Sequence, residues 1–291
     1  MLNTMPKAFV LGGERGLLGQ ALVQALKDKG WEAVAGRSGE FHYFSNDLYA
    51  ELSACLDRVE PQCVFNAVAY TDVEGAEENE AEALVLNRAL PAALARIVRT
   101  RPVRLVHFST DFVFDGRKAS PYTPDDAPNP LSAYGRTKLA GEQALLEASL
   151  PSCNIIRTAW LFGSGGKHFI RSIFNICREK GEAGVVFDQI GSPTYALDLA
   201  RYTLALLESG GEGIFHIANS GQASWCELAG EAVSYSQMEC RITPVNSGEF
   251  PSKAARPAYS VLNCDRFTQV TGLTPRAWPQ ALREYLMLDF A

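Results

Sequence analysis

LGGERGLLGQAL, residues 11–22, follows the apolar run Ala8–Leu11 and opens a stretch of helical periodicity that ends at Gly30. Between a strand and a helix, the spacing Gly13-x-x-Gly16-x-x-Gly19 has a physical reading. One glycine permits the tight turn, one lets the backbone approach a pyrophosphate, and one lets the helix pack close to the strand. The helix N-terminus adds amide donors and positive potential. Such a spacing alone is weak, because structural turns also produce it. Here it stands near the start of the chain in the strand–loop–helix order that dinucleotide binding requires.

Outward from this loop, short apolar runs alternate with helical patterns. Ala33–Ala35, Val64–Ala69, Arg104–Thr110 and Asn154–Ala159 read as strands. ELSACLDRVEP and the Ala-, Leu- and Glu-rich segment from Glu77 to Arg99 read as helices. The alternation predicts an α/β fold: a Rossmann-type doubly wound parallel sheet, covered on both faces, with right-handed crossovers. After Trp160, Gly, Pro and Ser become frequent, as in FGSGGKHF and NSGEFPSKAARPAYS. We therefore expect a dinucleotide-binding domain over 1–159 and a smaller, mainly substrate-binding C-terminal part over 160–291. Within the latter, 192–218 is expected to return to the main sheet through Ala196–Leu207 and Gly213–Ala218.

Composition narrows the function. The chain has 291 residues, 47% hydrophobic and 21% charged, with a net charge of −6, which suits a globular protein with a large core. No basic patch points to nucleic acid. No apolar run approaches the roughly 18 residues of a membrane span. The start, MLNTMPKAFVLGG, lacks the charged and apolar regions of a signal peptide. The seven scattered cysteines contain no CxxC, which predicts reduced thiols in a cytoplasm, without a zinc site or disulfides.

The second strand ends AVAGRSG. An acidic residue there would hold the ribose hydroxyls of NAD. Gly36 occupies that place and Arg37 follows, able to grip a 2′-phosphate in a bidentate contact. Arg15, in the glycine loop, points to the same region. The alternative is two ordinary surface arginines. The pattern favours NADPH, with NADH possible.

HFSTDFVFDG places Ser109 and Thr110 near the C-terminal end of a strand, the edge where open α/β sheets bind ligands. Tyr134 and Lys138 follow in SAYGRTKLAG, four residues apart and so on one helical face. An ammonium beside a phenol lowers the phenol pKa. A tuned phenol is a general acid, and the Thr110 hydroxyl is a second donor for a nascent alkoxide. Tyr-x-x-x-Lys alone occurs by accident in many helices. Glycine loop, strand-end Ser-Thr and Tyr/Lys pair in order are a far stronger signal for carbonyl reduction with a nicotinamide cofactor.

These residues resemble the extended short-chain dehydrogenase/reductases and, within them, the dTDP-4-dehydrorhamnose reductases. The matching segments are FNAVAYTDVEGAE, HFSTDFVFDG, PNPLSAYGRTKLAGEQAL, IIRTAWLFG, DQIGSPTYALDLA, GIFHIANSGQASWCELA and RPAYSVLN, spread over nearly the whole chain. The resemblance implies NADPH-dependent reduction of the C4 ketone of dTDP-4-dehydro-L-rhamnose, with Thr110, Tyr134 and Lys138 as catalytic residues. It implies a pyrophosphate loop of Gly13, Gly16, Leu17 and Leu18, and a cofactor-contacting loop of Ala69, Tyr70 and Thr71. Phe108 would line the cofactor, and Asn87 would steady that loop. Val113, Trp160, Gln189 and Arg256 would contact the sugar nucleotide, Arg256 through a phosphate oxygen.

Departures from the family pattern are Glu74-Gly75-Ala76-Glu77 in place of DKAE, the Gly36-Arg37 pair, and Phe44 and Asp47 near the adenine position. Some members use magnesium at a dimer interface. No such ligands are matched here, so no metal is assigned, and a homodimer stays open. Two other readings also stay open: a reductase of a different 4-keto nucleotide sugar, and an NADP-binding regulatory subunit similar to that of methionine adenosyltransferase.

Overall fold

The computed structural model describes residues 5–37, 39–249 and 252–289. Residues 1–4, on which the reading of the N-terminus partly rests, lie outside them. The first half runs β1 (Lys7–Leu11), α1 (Leu17–Asp28), β2 (Glu32–Ala35), α2 (Leu48–Val59), β3 (Cys63–Asn66), α3 (Val73–Glu78), α4 (Glu80–Leu84), α5 (Leu90–Val98), β4 (Arg104–Thr110), α6 (Ala133–Glu147) and β5 (Cys153–Thr158). The second half runs β6 (Leu161–Phe162), α7 (Phe169–Lys180), β7 (Glu182–Val186), β8 (Ile190–Gly191), β9 (Thr194–Tyr195), α8 (Ala196–Glu208), β10 (Gly213–His216), β11 (Ala223–Ser224), α9 (Trp225–Tyr235), β12 (Arg241–Val245), α10 (Asp265–Thr271) and α11 (Trp278–Asp289).

Six strands form one parallel sheet in the order β10-β5-β4-β3-β1-β2. Its central strands are buried along nearly their whole length, only Lys7 and Arg104 at their starts reaching partly outward, as cover on both faces demands. One face is covered by α1, α8 and α10, whose Leu22, Leu26, Leu199, Leu204 and Phe267 pack on Val10, Phe65 and Val106. The other face is covered by α2, α5 and the end of α6, whose Leu52, Leu56, Leu94 and Leu145 pack on Phe9, Val64 and Leu105. The chain leaves β1 for β2 on one side and returns to β3 on the other. The strand order thus reverses between β1 and β3, and this switch point leaves a crevice at the strands' C-terminal ends. β10 pairs with β5 in register Ile214↔Ile155, so the chain re-enters the sheet after an excursion.

That excursion and the C-terminal segments build a second core, where α7, α9 and α11 pack Phe174, Leu228, Leu282 and Tyr285 together. β7 and β12 pair in parallel beside it.

Three expectations are corrected. The helix read from Glu77 to Arg99 is interrupted at Asn79 and again by a π-helical stretch, Val85–Ala89, which turns the side chain of Asn87 back towards the loop after β3. The strand read to Ala69 stops at Asn66, and Ala67–Ala69 peel away into the crevice. Cys177 and Cys240 form a disulfide, contrary to the expectation of reduced thiols alone; packing of α7 against the strand pair brings them together across 63 residues.

Candidate active site

The loop after β1 is built by backbone geometry. Gly12 lies in the left-handed region at φ +83°, which the residue spacing alone did not single out. A Cβ at Gly19 would stand 2.1 Å from the Gly12 carbonyl oxygen, so only glycine lets α1 approach the loop this closely. Gly16 caps α1 without a side-chain bond, leaving the first amides of the helix directed at the crevice.

α6 is held in place by similar means. The Ser132 hydroxyl accepts from the Gly135 amide at 3.2 Å, and Glu77 accepts from the Ala133 amide at 2.8 Å. A Cβ at Gly135 would lie 2.3 Å from the Phe112 carbonyl oxygen, so this glycine lets the start of α6 abut the short 3-10 turn Asp111–Val113. Tyr134 is thereby brought beside Thr110, the last residue of β4, near enough for the Thr110 hydroxyl to act on its phenol. Thr110 also caps the turn, accepting from the Phe112 amide at 3.2 Å.

A cleft of 610 Å³ opens at the switch point. Its floor is Gly12, Gly16, Leu17 and Leu18 on one side and Asn66–Ala69 on the other. Arg15, Arg37 and Tyr43 line one end; Phe108, Ser109, Tyr134, Lys138 and Thr158 line the opposite end. Most of the expected cofactor residues thus share one cavity. Three do not line it. Gly13 is turned inward, with Val10 and Ala35 around it. Tyr70 lies behind Ala69 and Thr71. Asn87, fully buried, binds the Tyr70 backbone in both directions (2.9 and 3.2 Å) and the Thr137 hydroxyl (2.9 Å), so it props the loop from behind.

The electrostatics at the Tyr134 end differ from the simple picture of a lysine tuning a phenol. Surrounding protein pushes the Tyr134 phenol up to about 12; the nearby Thr110 hydroxyl opposes this and the Asp111 charge adds to it. Lys138 is not among these influences, because its ammonium donates to the Phe108 carbonyl at 2.6 Å. Burial lowers Lys138 to about 8, against the opposing charge of Glu142 one turn further on. Glu142 is itself buried, accepts from Ser109, and is paired with Arg157 at 2.7 Å.

Asp111 was not singled out from the sequence, yet it sits at the centre of the site. It is 2% exposed, within 3.1 Å of the Thr110 hydroxyl, and accepts from Ser260 at 2.5 Å. Burial raises its carboxyl from 3.8 to about 6, although these bonds pull it down. A group raised on folding stabilises the fold while protonated, and that contribution is lost as pH rises through the folded value. Asp111→Asn should therefore be more stable than wild type at pH 7 by on the order of 3 kcal/mol, with the gap closing below about pH 4. Urea unfolding at both pH values checks this; a gain persisting in acid would assign it to packing instead.

The expected sugar-nucleotide residues are only partly gathered. Val113 is fully buried, packed with Phe114, Tyr122, Ala159 and Leu262, so its side chain is core rather than open surface. Trp160 packs at the edge of this cluster, between the cleft-lining Thr158 and Leu161. Gln189 is half-buried just before β8. Arg256 is engaged by Glu74 at 2.5 Å, and Glu74 also accepts from Ser252 and from the backbone amides of Lys253 and Ala254. Those bonds hold the Glu74 carboxyl down at about 2, against burial. Among the described residues no group of three or more His, Cys, Asp or Glu is arranged to hold a metal, and no helix is long and apolar enough to cross a membrane.

The cleft also fits a dinucleotide chemically. It joins an uncapped helix N-terminus and two arginines to a far wall where the buried Thr158 hydroxyl has no protein partner.

Comparison with known proteins agrees. The profile of the RmlD substrate binding domain matches residues 7–289. The dTDP-4-dehydrorhamnose reductase of Mycobacterium tuberculosis is 39% identical, covering 94% of this chain and 90% of its own. The dTDP-4-keto-6-deoxy-D-glucose reductase of Streptomyces niveus is 37% identical over 96% of both chains. The crystal structure of Bacillus anthracis dTDP-4-dehydrorhamnose reductase in complex with NADP superposes with a TM-score of 0.92 at 29% identity, covering 98% of this chain and all of that one. The chain belongs to the RmlD substrate-binding-domain family and is a relative of the dTDP-4-keto-sugar reductases.

Proposed function

We propose that this protein is an NADPH-dependent oxidoreductase that reduces the C4 ketone of dTDP-4-dehydro-L-rhamnose to dTDP-L-rhamnose. The observation that carries the reading is one cleft lined by Tyr134 and Lys138, with Thr110 beside Tyr134, and by the α1 N-terminus, Arg15 and Arg37. The B. anthracis relative crystallised with NADP supports the cofactor. The cofactor, when bound, supplies the hydride.

This chain's residues do the rest. The amides at the start of α1 hold the pyrophosphate, and Arg37 with Arg15 meets the 2′-phosphate. Tyr134, kept protonated by its surroundings, gives its proton to the oxygen at C4 as that oxygen gains charge. Thr110 donates a second hydrogen bond to the same oxygen. Lys138 binds the nicotinamide ribose. Arg256 leaves Glu74 to meet a phosphate of the sugar nucleotide. The division into a cofactor domain over 1–159 and a substrate part beyond belongs to the same reading, as does action in the cytoplasm.

The S. niveus relative favours a second reading, in which the substrate is another dTDP-4-keto sugar. Incubation with dTDP-4-dehydro-L-rhamnose, made in situ, tests both. Rapid NADPH oxidation with dTDP-L-rhamnose as product supports the first. Oxidation seen only with dTDP-4-keto-6-deoxy-D-glucose supports the second. Binding of NADPH with turnover of neither would leave the regulatory-subunit reading.

A further inference from the structure

Trp160 has an unusual setting. Its backbone is in the left-handed region at φ +49°, a conformation a bulky residue adopts only when its surroundings impose it. Its carbonyl accepts from the Thr194 amide at 3.2 Å. Its indole stacks on that of Trp225, with centroids 3.4 Å apart and planes within 5°. Phe169 supports Trp225 from a third direction, at 4.6 Å and 52°. The Nε1–Cε2–Cζ2 corner of the Trp160 indole fills the space a side chain at residue 191 would need: a Cβ on Gly191 would stand 2.4 to 2.6 Å from those three atoms.

The segment carrying Gly191 is tied in turn to the catalytic end. The Ile190 amide donates to the Ala258 carbonyl and the Ser260 amide donates to the Ile190 carbonyl, both at 2.8 Å. The Ser260 hydroxyl reaches Asp111, next to Thr110. The position of the indole is thus referred, through a short chain of hydrogen bonds, to the hydroxyl that faces the reacting carbonyl.

We propose that Gly191 and Trp225 are positioning residues that fix the Trp160 indole in one orientation against the sugar of the substrate. The proposal rests on the function given above, in which Trp160 contacts the sugar nucleotide. Gly191 acts by its missing side chain and Trp225 by its ring. Neither needs to touch substrate. A rigid wall holds the keto carbon where Tyr134 and Thr110 converge, and a loose one lets the sugar rotate away.

Two variants test this in the full-length protein. Gly191→Ala keeps both indoles but must displace one. It should weaken the exciton couplet of the stacked pair in circular dichroism and raise KM for the nucleotide sugar between about ten- and a hundredfold. Its NADPH dissociation constant should stay within about twofold of wild type, since neither Gly191 nor Trp160 lines the cleft. Trp225→Leu should show the same rise in KM, and Trp225→Phe, which can still stack, should reverse most of it. An unchanged couplet in Gly191→Ala, or a disturbed couplet with an unchanged KM, overturns the proposal. NADPH binding reports independently that each variant is folded. If Trp160→Phe leaves KM unchanged, the reading of Trp160 as a sugar contact fails, while the couplet in Gly191→Ala still decides whether the glycine orients the ring.

Discussion

Replacing Tyr134 with phenylalanine should lower kcat by about two to four orders of magnitude and leave the NADPH dissociation constant within about twofold of wild type. The substitution removes one oxygen. The ring keeps its edge-on contact with Phe112, at 5.6 Å and 73°, and its packing against Ala76, Ala83 and Ala133, so the fold has no reason to change. What is lost is the proposed proton donor, which burial pushes up to about 12 and so keeps protonated at neutral pH. On the proposed mechanism Thr110 would still polarise the carbonyl, so residual turnover is expected. Steady-state kinetics with a fluorescence titration of NADPH separates the two effects. Turnover close to wild type would remove Tyr134 from the acid role and shift it to another donor.

Arg37→Ala should weaken NADPH binding about ten- to a hundredfold, the worth of a charged hydrogen bond to phosphate, and leave NADH binding within about twofold. The argument is local. No carboxylate stands directly after β2, where Gly36 packs against Phe9 and Phe41. The nearby Glu40 accepts from the Arg37 amide at 2.9 Å, but its charge is matched by Arg58 at 2.7 Å. The Arg37 side chain lines the cleft, as does that of Arg15. Titrations of the two cofactors at fixed ionic strength give the result. Equal losses for both would mean that Arg37 senses the diphosphate or nothing, and not the 2′-phosphate.

Features set by short-range periodicity were readable in the sequence. Leu11–Leu22 declares a strand, a turn and a helix within one window, and Tyr134 and Lys138 share a face because helix geometry requires it. Features made by distant partners were not. The pairing of Glu74 with Arg256 joins residues 182 apart, and nothing near either announces the other. Asp111 reads as an ordinary turn residue until Ser260, 149 residues on, closes over it. The π-helical stretch at Asn87 is set by the loop it props, so local propensity describes it only as helix. Val113 shows the converse: its place in a motif suggested contact with substrate, while its neighbours in space make it core.

The late return of β10 shapes how the molecule can be made. During synthesis the strand that covers the free edge of β5 emerges only after the whole excursion through β6–β9 and α8 has been translated. Until then β5 presents unpaired amides and carbonyls, the kind of edge that recruits other chains. A fragment ending after β5 would carry the glycine loop, Tyr134 and Lys138 and still be left with that open edge. The half of this protein that carries the glycine loop, Tyr134 and Lys138 is therefore not a separable module, and its sheet is completed by a strand that arrives only after much of the second core has been translated.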